Sequence, residues 1–292
     1  MASEWRESMN QPLGTYGAWL HPALGNSSIE YAGELEELGF STIWVGIGAG
    51  PIGDMRLLDD MLAATGTTVV ASAIINMWQD DAAGLARHYH RIVDRHGPRL
   101  LLGVGLGHPE KIQSNYDKPL HRMREYVEKL RGEQVPPESI VIGALGAKTL
   151  KLAGECTFGA HPYLTNPAHT EYARKILGAT AFLAPEHKVV LTEDADHARR
   201  IGRPAVQFPY LGLRNYTNNL MRHGFTEEDV SGSGSDRLID ALVAHGSPEA
   251  IFERLDRHLA AGADHVGIQV LTGSHDSTPM PAFRELAAHR PR

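Results

Sequence analysis

A glycine turn at the end of a short apolar segment is the first place in this sequence where a ligand could bind. Ile140 to Ala144 is β-prone, Leu145-Gly146 interrupts it, and Lys148 to Gly154 has the composition of a helix. A strand, a glycine turn and a helix in succession present unpaired backbone N–H groups and the positive end of the helix dipole. Such groups bind anions, phosphate among them. An ordinary βα turn without a ligand has the same local sequence, so the turn alone leaves both interpretations open.

Histidines recur where predicted strands end, and a metal site is the first chemistry they suggest. They are His21, His108, His161 and His275. The first strand ends in Trp19-Leu20-His21, without the His-x-His pair of metallohydrolase barrels. His88-Tyr89-His90 has that spacing, but it falls in a predicted helix, where residues two apart point to different faces. There is no HExxH motif either. We therefore predict no metal site.

The other common catalytic groups are poorly placed. The carboxylates nearest the strand ends are Asp54, Glu110 and Glu193, all slightly beyond the strands, so the facing pair of a glycosidase is not indicated. No GxSxG motif is present, and Cys156 is the only cysteine. What remains is an apolar pocket with glycine-lined walls, an anion turn and little acid–base machinery. This pattern suits a protein whose chemistry belongs to a bound cofactor.

Eight predicted strands alternate with helices along the chain. They cover residues 14–20, 42–45, 67–75, 100–104, 140–144, 160–165, 188–192 and 265–271. Asn166-Pro167 and Ser247-Pro248 each predict the start of a helix, and residues 193–240 are longer than one crossover requires. The α/β alternation without a linker predicts one (β/α)8 TIM barrel over residues 1–292. Function is then expected at the C-terminal ends of the strands.

Composition limits the partners. The chain has 292 residues, a net charge of −7 and no basic block, so the pattern does not favour nucleic acid or an anionic membrane as a partner. No apolar run approaches the length of a membrane-spanning helix, and the N-terminus has no apolar signal-peptide core. We expect a cytoplasmic protein that acts on a small molecule.

Four segments, in this order and spacing, resemble the luciferase-like superfamily, and within it the coenzyme F420-dependent oxidoreductases. They are Val70 to Trp78 (VASAIINMW), Arg99 to His108 (RLLLGVGLGH), Ile142 to Leu164 (IGALGAKTLKLAGECTFGAHPYL) and Gly246 to Val270 (GSPEAIFERLDRHLAAGADHVGIQV). The resemblance implies a luciferase-like (β/α)8 barrel with an insertion near strand seven, and a homodimer. It also implies a deazaflavin bound at the C-terminal ends of the strands.

The same resemblance implies where the cofactor lies. It places cofactor contacts at Gly46, Ala73, Ile74, Asn76, Leu106, Gly107, Ala144, Leu145, Gly146 and Thr165. A non-prolyl cis peptide at Ala73-Ile74 would back the ring, and the phosphate would lie at the turn around Gly146, with Thr165 helping to close its site. Plain strand at Ala73-Ile74 and a strand-end cap at Asn76 are the alternatives.

The sequence also departs from related dehydrogenases. Where strand two of those enzymes ends in Asp-His, this chain has Gly46-Ile47, and the usual Ala-Asp-Gly after helix five is replaced by Cys156-Thr157-Phe158-Gly159. His108 stands where they carry a glutamate. Because histidine titrates near neutral pH, His108 is the candidate proton donor or acceptor, with loop packing as the alternative.

The expected function is hydride transfer between coenzyme F420 and a small organic substrate. The alternatives are an FMN-dependent luciferase-like monooxygenase, and a barrel that binds a cofactor without catalysis. The nearest basic residues to the proposed phosphate site, where the FMN branch often has an arginine, are Lys148 and Lys151.

Overall fold

The computed structural model describes residues 13–47, 50–112, 116–274 and 277–291, and within them a parallel β-sheet curls into a barrel surrounded by helices. Its strands are β1 (Tyr16–Leu20), β2 (Thr42–Gly46), β3 (Val69–Ala73), β4 (Ile75–Asn76), β5 (Leu100–Gly105), β6 (Ile140–Gly143), β7 (Gly159–Ala160), β8 (Phe182–Leu183), β9 (Glu186–Val190), β10 (Val243–His245) and β11 (Val266–Val270). They pair in the order β10-β9-β11-β1-β2-β3-β5-β6-β7-β8, and β4 pairs with β5.

One bent segment closes the barrel. β8 pairs with β7, and β9, which begins three residues after β8 ends, pairs with β11. Pro185 lies between β8 and β9 and has no N–H to give to a ladder, which accounts for the interruption. Counting β3 with β4 and β8 with β9, eight strand positions form the ring, and β10 pairs in parallel with β9. The predicted (β/α)8 barrel is confirmed.

Helices cover the outside of the sheet. They are α1 (Ser27–Glu37), α2 (Arg56–Ala63), α3 (Ala82–His96), α4 (Pro109–Ile112), α5 (Pro119–Gly132), α6 (Ala147–Cys156), α7 (Pro167–Leu177), α8 (Ala195–Gln207), α9 (Arg214–Arg222), α10 (Glu227–Val230), α11 (Asp236–Leu242), α12 (Pro248–Ala260) and α13 (Met280–Ala288). Asn166 and Ser247 cap α7 and α12 as predicted. No helix within the described ranges is long and apolar enough to cross a membrane.

The predicted insertion near strand seven consists of α8 to α11 and β10, between β9 and α12. Its apolar side chains form a second packed cluster with Leu164 and Val190 of the barrel. Two 3₁₀ helices elsewhere, Pro22–Leu24 and Pro137–Ser139, lie in loops, and a third, Tyr210–Gly212, joins α8 to α9. The insertion therefore packs over one side of the C-terminal end of the barrel.

The barrel interior is filled by two tryptophan–histidine pairs. Trp19 Nε1 donates to His161 Nε2 at 3.3 Å, and Trp44 Nε1 donates to His265 Nε2 at 2.9 Å. The His161 ring also stacks on Trp44, with 4.0 Å between centroids. All four side chains are buried, so hydrogen bonding inside the barrel offsets the cost of removing these polar atoms from water.

The strands differ from the prediction mainly at positions three, six and seven. Strand three, predicted over 67–75, is divided into β3 and β4. Strand six is only Gly159–Ala160 instead of 160–165, because the chain leaves the ladder and Leu164 adopts a left-handed φ of 55°. Strand seven is β8 and β9 together and ends at Val190, whereas the sequence predicted 188–192. The short strand β10 was not predicted.

Candidate functional site

A bulge in the third strand places an apolar side chain at the mouth of the barrel. The Ala73–Ile74 peptide is cis, at the position that the resemblance implies, and it separates β3 from β4. Ile74 is half-buried and lies over the glycines of the next two strands: a Cβ at Gly143 would sit 2.6 Å from its Cδ1, and one at Gly105 would overlap the same atom. Glycine at these two strand ends therefore makes room for Ile74.

Asn76 and Trp78 connect this bulge to the loop after β5. Asn76 Oδ1 accepts from the N–H of Trp78 at 3.1 Å, so the carbonyl side of this amide caps its own strand end. Trp78 Nε1 donates to the carbonyl of Leu106 at 2.7 Å. Gly107 has φ 64°, which favours glycine, and a Cβ at this position would lie 3.2 Å from Asn76 Oδ1. The structure thus brings Ile74, Asn76, Leu106 and Gly107 together at one end of the barrel.

The turn after β6 has the geometry of an anion site. Gly146 is the N-cap of α6 and provides no side-chain hydrogen bond, and a Cβ at Gly146 would meet nothing within 4 Å. The space beside Gly146 is therefore open, and no side chain caps the N–H groups at the start of α6. Ala144 is buried beneath the turn, and His169 Nε2 donates to the carbonyl of Leu145 at 2.9 Å, which ties the turn to α7.

Four polar side chains at the start of α7 and the end of α9 have buried atoms without a partner within the described part of the chain. They are Thr165 (Oγ1), His169 (Nδ1), Asn219 (Oδ1) and His223 (Nε2), and we call them the polar cluster. The rings of its two histidines are 5.1 Å apart, edge to face. Burial lowers the pKa of His169 to about 4 and also lowers that of His223, so both are neutral at pH 7. Buried polar atoms without partners are rare in native proteins and suggest a missing ligand or water.

A row of rings crosses the mouth and ends at His108. The row runs in the order Trp19, Tyr163, Tyr210, Tyr216 and His108. The distances between successive ring centroids are 5.4, 5.2, 4.8 and 5.7 Å. Tyr216 belongs to α9, so the insertion covers His108. Burial raises the pKa of Tyr216 well above its usual value, and its phenol stays neutral. His108 is thereby held at the same end of the barrel as Ile74.

A cavity of about 490 Å³ opens on the other side of the mouth, at the ends of β1 and β11 and under α8. Trp19, Tyr163, Phe208 and Tyr210 form its aromatic walls. Sequence reasoning did not predict this cavity. Its only sequence signal was the unusual length of residues 193–240, which pointed to an insertion without showing what it covers.

A buried ion pair lies beneath the aromatic wall. Lys188 Nζ is 3.0 Å from Glu186 Oε1 and 3.9 Å from the centroid of the Tyr163 ring. Burial lowers the pKa of Lys188 and raises that of Glu186, and each charge opposes the shift of the other. The hydroxyl of Tyr163 donates to Gln269 Oε1 at 2.9 Å, which fixes the wall against β11.

Two of the sequence predictions have a structural explanation that needs no ligand. A Cβ at Gly46 would lie 2.6 Å from Pro22 and 2.7 Å from Trp19, so close packing accounts for this glycine, and its cofactor contact stays a prediction. His161 belongs to the barrel interior and not to the mouth. His275 lies outside the described residues.

Comparisons with known proteins agree with this architecture. The chain is 26% identical to the 5,10-methylenetetrahydromethanopterin reductase of Archaeoglobus fulgidus, over 89% of this chain and 93% of that one. Its fold is similar to the coenzyme F420-dependent tetrahydromethanopterin reductase of Methanopyrus kandleri, with a TM-score of 0.71, 17% identity and 94% and 97% of the two chains covered.

A second similar structure is the oxygenating constituent of 3,6-diketocamphane monooxygenase from Pseudomonas putida, in complex with FMN. Its TM-score is 0.72 at 14% identity, covering 94% of this chain and 96% of that one. The sequence profile of the luciferase-like monooxygenase family matches residues 14–265, which is most of the chain. The protein therefore belongs to the luciferase-like monooxygenase family.

Proposed function

We propose that the protein is an oxidoreductase that transfers a hydride between coenzyme F420 and a small organic substrate. The observation that carries the proposal is the Thr165 hydroxyl, which is 1% exposed and has no partner within the described residues. It lies two residues before α7, whose His169 is bonded to the turn at Leu145. The turn at Leu145 leads into α6, whose start has no side-chain cap. The buried Thr165 hydroxyl and the N–H groups at the start of α6 can both donate to a phosphate oxygen.

The other residues of this side fit a flat ring attached to that phosphate. Ile74 presents an apolar surface, for which the glycines beneath it make room. When bound, the deazaflavin supplies or accepts the hydride. The chain orients the two reactants and excludes water, since Tyr216 of the insertion lies over the same end of the barrel.

His108 is the proposed proton donor or acceptor for the substrate. It follows β5 directly after Leu106-Gly107, and the Tyr216 ring limits its movement. Because a positioned general acid or base contributes about 100-fold or more, His108→Asn is expected to lower turnover by about that factor. Deazaflavin affinity should stay within twofold of wild type, about the error of the titration. Equal turnover in the variant would assign His108 to packing instead.

Spectral titration with coenzyme F420 tests the cofactor. We expect binding at micromolar concentration, and its absence would contradict the proposal. Thr165→Val should weaken binding by about tenfold without lowering the free energy of unfolding, because the lost hydroxyl has no partner among the described residues. Thr170→Val is the matched control: this second buried threonine bonds to His258 Nδ1 at 2.7 Å. Loss of the Thr170–His258 hydrogen bond should lower the free energy of unfolding by about 1 kcal/mol and leave deazaflavin binding unchanged.

FMN is the alternative cofactor, supported by the fold that the chain shares with an FMN-bound monooxygenase. The same titration with FMN separates the two cofactors. If FMN is the cofactor, FMN binds and Thr165→Val weakens its binding, whereas coenzyme F420 does not bind. Tight binding of coenzyme F420 without turnover across a panel of acceptors would support a non-catalytic barrel.

A further inference from the structure

We infer that the cavity under α8 binds the substrate, and that this substrate is an organic anion with an aromatic or similarly flat apolar body. The assignment as substrate rests on the proposed function. The cavity is separate from the Thr165 side of the mouth, where the proposed cofactor phosphate lies. At about 490 Å³ it has the size of a site for a small organic molecule.

The walls favour a flat apolar body. Trp19, Tyr163 and Tyr210 form a continuous ring surface on the inner side, with centroids 5.4 and 5.2 Å apart. Phe208 at the rim is 71% exposed, although it is a large apolar side chain. Its ring adds apolar surface to the rim, next to the aromatic inner wall.

The charge around the cavity favours an anion. No Asp or Glu is among the described residues that line it, although the whole chain has a net charge of −7. Arg200 and His197, both exposed on α8, are on the lining, with Arg200 Nη2 3.4 Å from His197 Nδ1. A carboxylate at this rim would gain a charge-assisted hydrogen bond from the guanidinium.

Arg200 differs from the other arginines of its helix. Arg199 Nη2 is 2.6 Å from Asp240 Oδ2, and Arg203 is paired with Asp236. Arg200 makes no salt bridge with a carboxylate of the described residues. Two arginines of α8 therefore hold the insertion together. Arg200 helps to lower the pKa of the exposed Asp194 but makes no salt bridge with it, so its guanidinium can still bond to a ligand in the cavity.

The cavity also adjoins the proposed ring site. Trp19 and Tyr163, which line it, belong to the same packed cluster as Ala73 of the cis peptide. A body stacked on these rings extends toward the bulge, while its charged group remains near Arg200. This orientation places the uncharged part of the substrate nearer to Ile74.

Calorimetric titration with two matched probes tests the inference. Benzoylformate has an aromatic ring and a carboxylate, and 1-phenylpropane-1,2-dione replaces the carboxylate by a neutral acetyl group. We expect benzoylformate to bind about tenfold more tightly, the magnitude of one partly exposed charge-assisted contact. Equal or tighter binding of the dione, or no binding of either probe at millimolar concentration, would overturn the inference.

Variants locate the site. Arg200→Gln should abolish the preference for benzoylformate without changing the affinity for the dione, whereas Arg257→Gln should alter neither. Arg257 is a matched control because its side chain is 63% exposed on α12, away from the cavity. Ala205→Trp, which fills the cavity, should weaken both probes by tenfold or more, about the effect of blocking the site. The assignment would be contradicted if Arg200→Gln kept the preference for benzoylformate, or if Ala205→Trp bound both probes as tightly as wild type.

The result is independent of the cofactor titration. If the probes and variants behave as expected but coenzyme F420 does not bind, the anion site is supported and the proposed function fails. If coenzyme F420 binds but the probes do not, the proposed function survives and the inference about the substrate is wrong.

Discussion

The interior of the barrel and its mouth both contain buried histidines, but the ring nitrogens of these histidines differ in their hydrogen bonding. Inside, His161 and His265 use both ring nitrogens: each Nε2 accepts from a tryptophan, and each Nδ1 donates at 2.7 Å to a backbone carbonyl, of Ala184 and Gly14 respectively. At the mouth, the polar cluster has four buried atoms without a partner among the described residues.

The difference separates stability from binding. A saturated buried hydrogen bond contributes to folding, and removing one partner leaves the other unsatisfied at a cost. A buried polar atom without a partner already bears that cost in the folded chain, so it contributes nothing to stability until a ligand bonds to it. We therefore expect substitutions in the interior to change unfolding, and substitutions in the polar cluster to change binding.

Acid should produce the largest effect, and it acts through the interior. Burial lowers the pKa of His161 to about 3 and that of His265 to about 4, below the ordinary value of about 6.5 in the unfolded chain. The unfolded state therefore binds more protons as pH falls below 6.5, and stability is lost toward pH 4. The two histidines alone should reduce the free energy of unfolding by about 3 kcal/mol per pH unit in this window.

Urea unfolding at pH 7.5, 6.5, 5.5 and 4.5 measures this slope, with pH 7.5 as the reference above the window. His187 and His258 are also buried with lowered pKa values and add to it in the same direction. Replacing the exposed His289 by alanine is the control and should leave the slope nearly unchanged. An unfolding free energy that is constant between pH 7.5 and 5.5 would remove the proposed role of the interior histidines.

A matched pair of leucine substitutions compares the two regions directly. His161→Leu leaves the N–H of Trp19 and the carbonyl of Ala184 without partners, so it should cost about 3 kcal/mol of stability. Asn219→Leu replaces a buried amide whose oxygen has no described partner, and it should change stability by less than about 1 kcal/mol. Chemical denaturation at pH 7.5 measures both values.

The deazaflavin titration completes the pair. Asn219→Leu should weaken deazaflavin binding although it hardly changes the free energy of unfolding. His161→Leu, measured at a low temperature where it is folded, should bind the deazaflavin like wild type. If His161→Leu abolished binding while Asn219→Leu left it intact, the division between an interior that stabilises and a mouth that binds would be wrong.

Much of this architecture follows from local sequence. Patterns within a few residues set the positions of strands and helices, because backbone geometry and capping are local. The glycine turn at Leu145-Gly146 and the helix start at Asn166 are two examples. The bulge at Ala73-Ile74 came from the resemblance and not from propensity, since an apolar run such as 67–75 predicts an uninterrupted strand.

Sequence by itself determined the barrel, its insertion and the order of the segments that form one side of its mouth. Tertiary structure alone decided which side chains share a pocket. Trp19, Tyr163, Arg200 and Gln269 are far apart in sequence and meet at the cavity only when the barrel closes and α8 covers it. It also placed His161 in the barrel interior and packed Gly46 closely against Pro22 and Trp19, because the space around a residue depends on neighbours that no local pattern specifies.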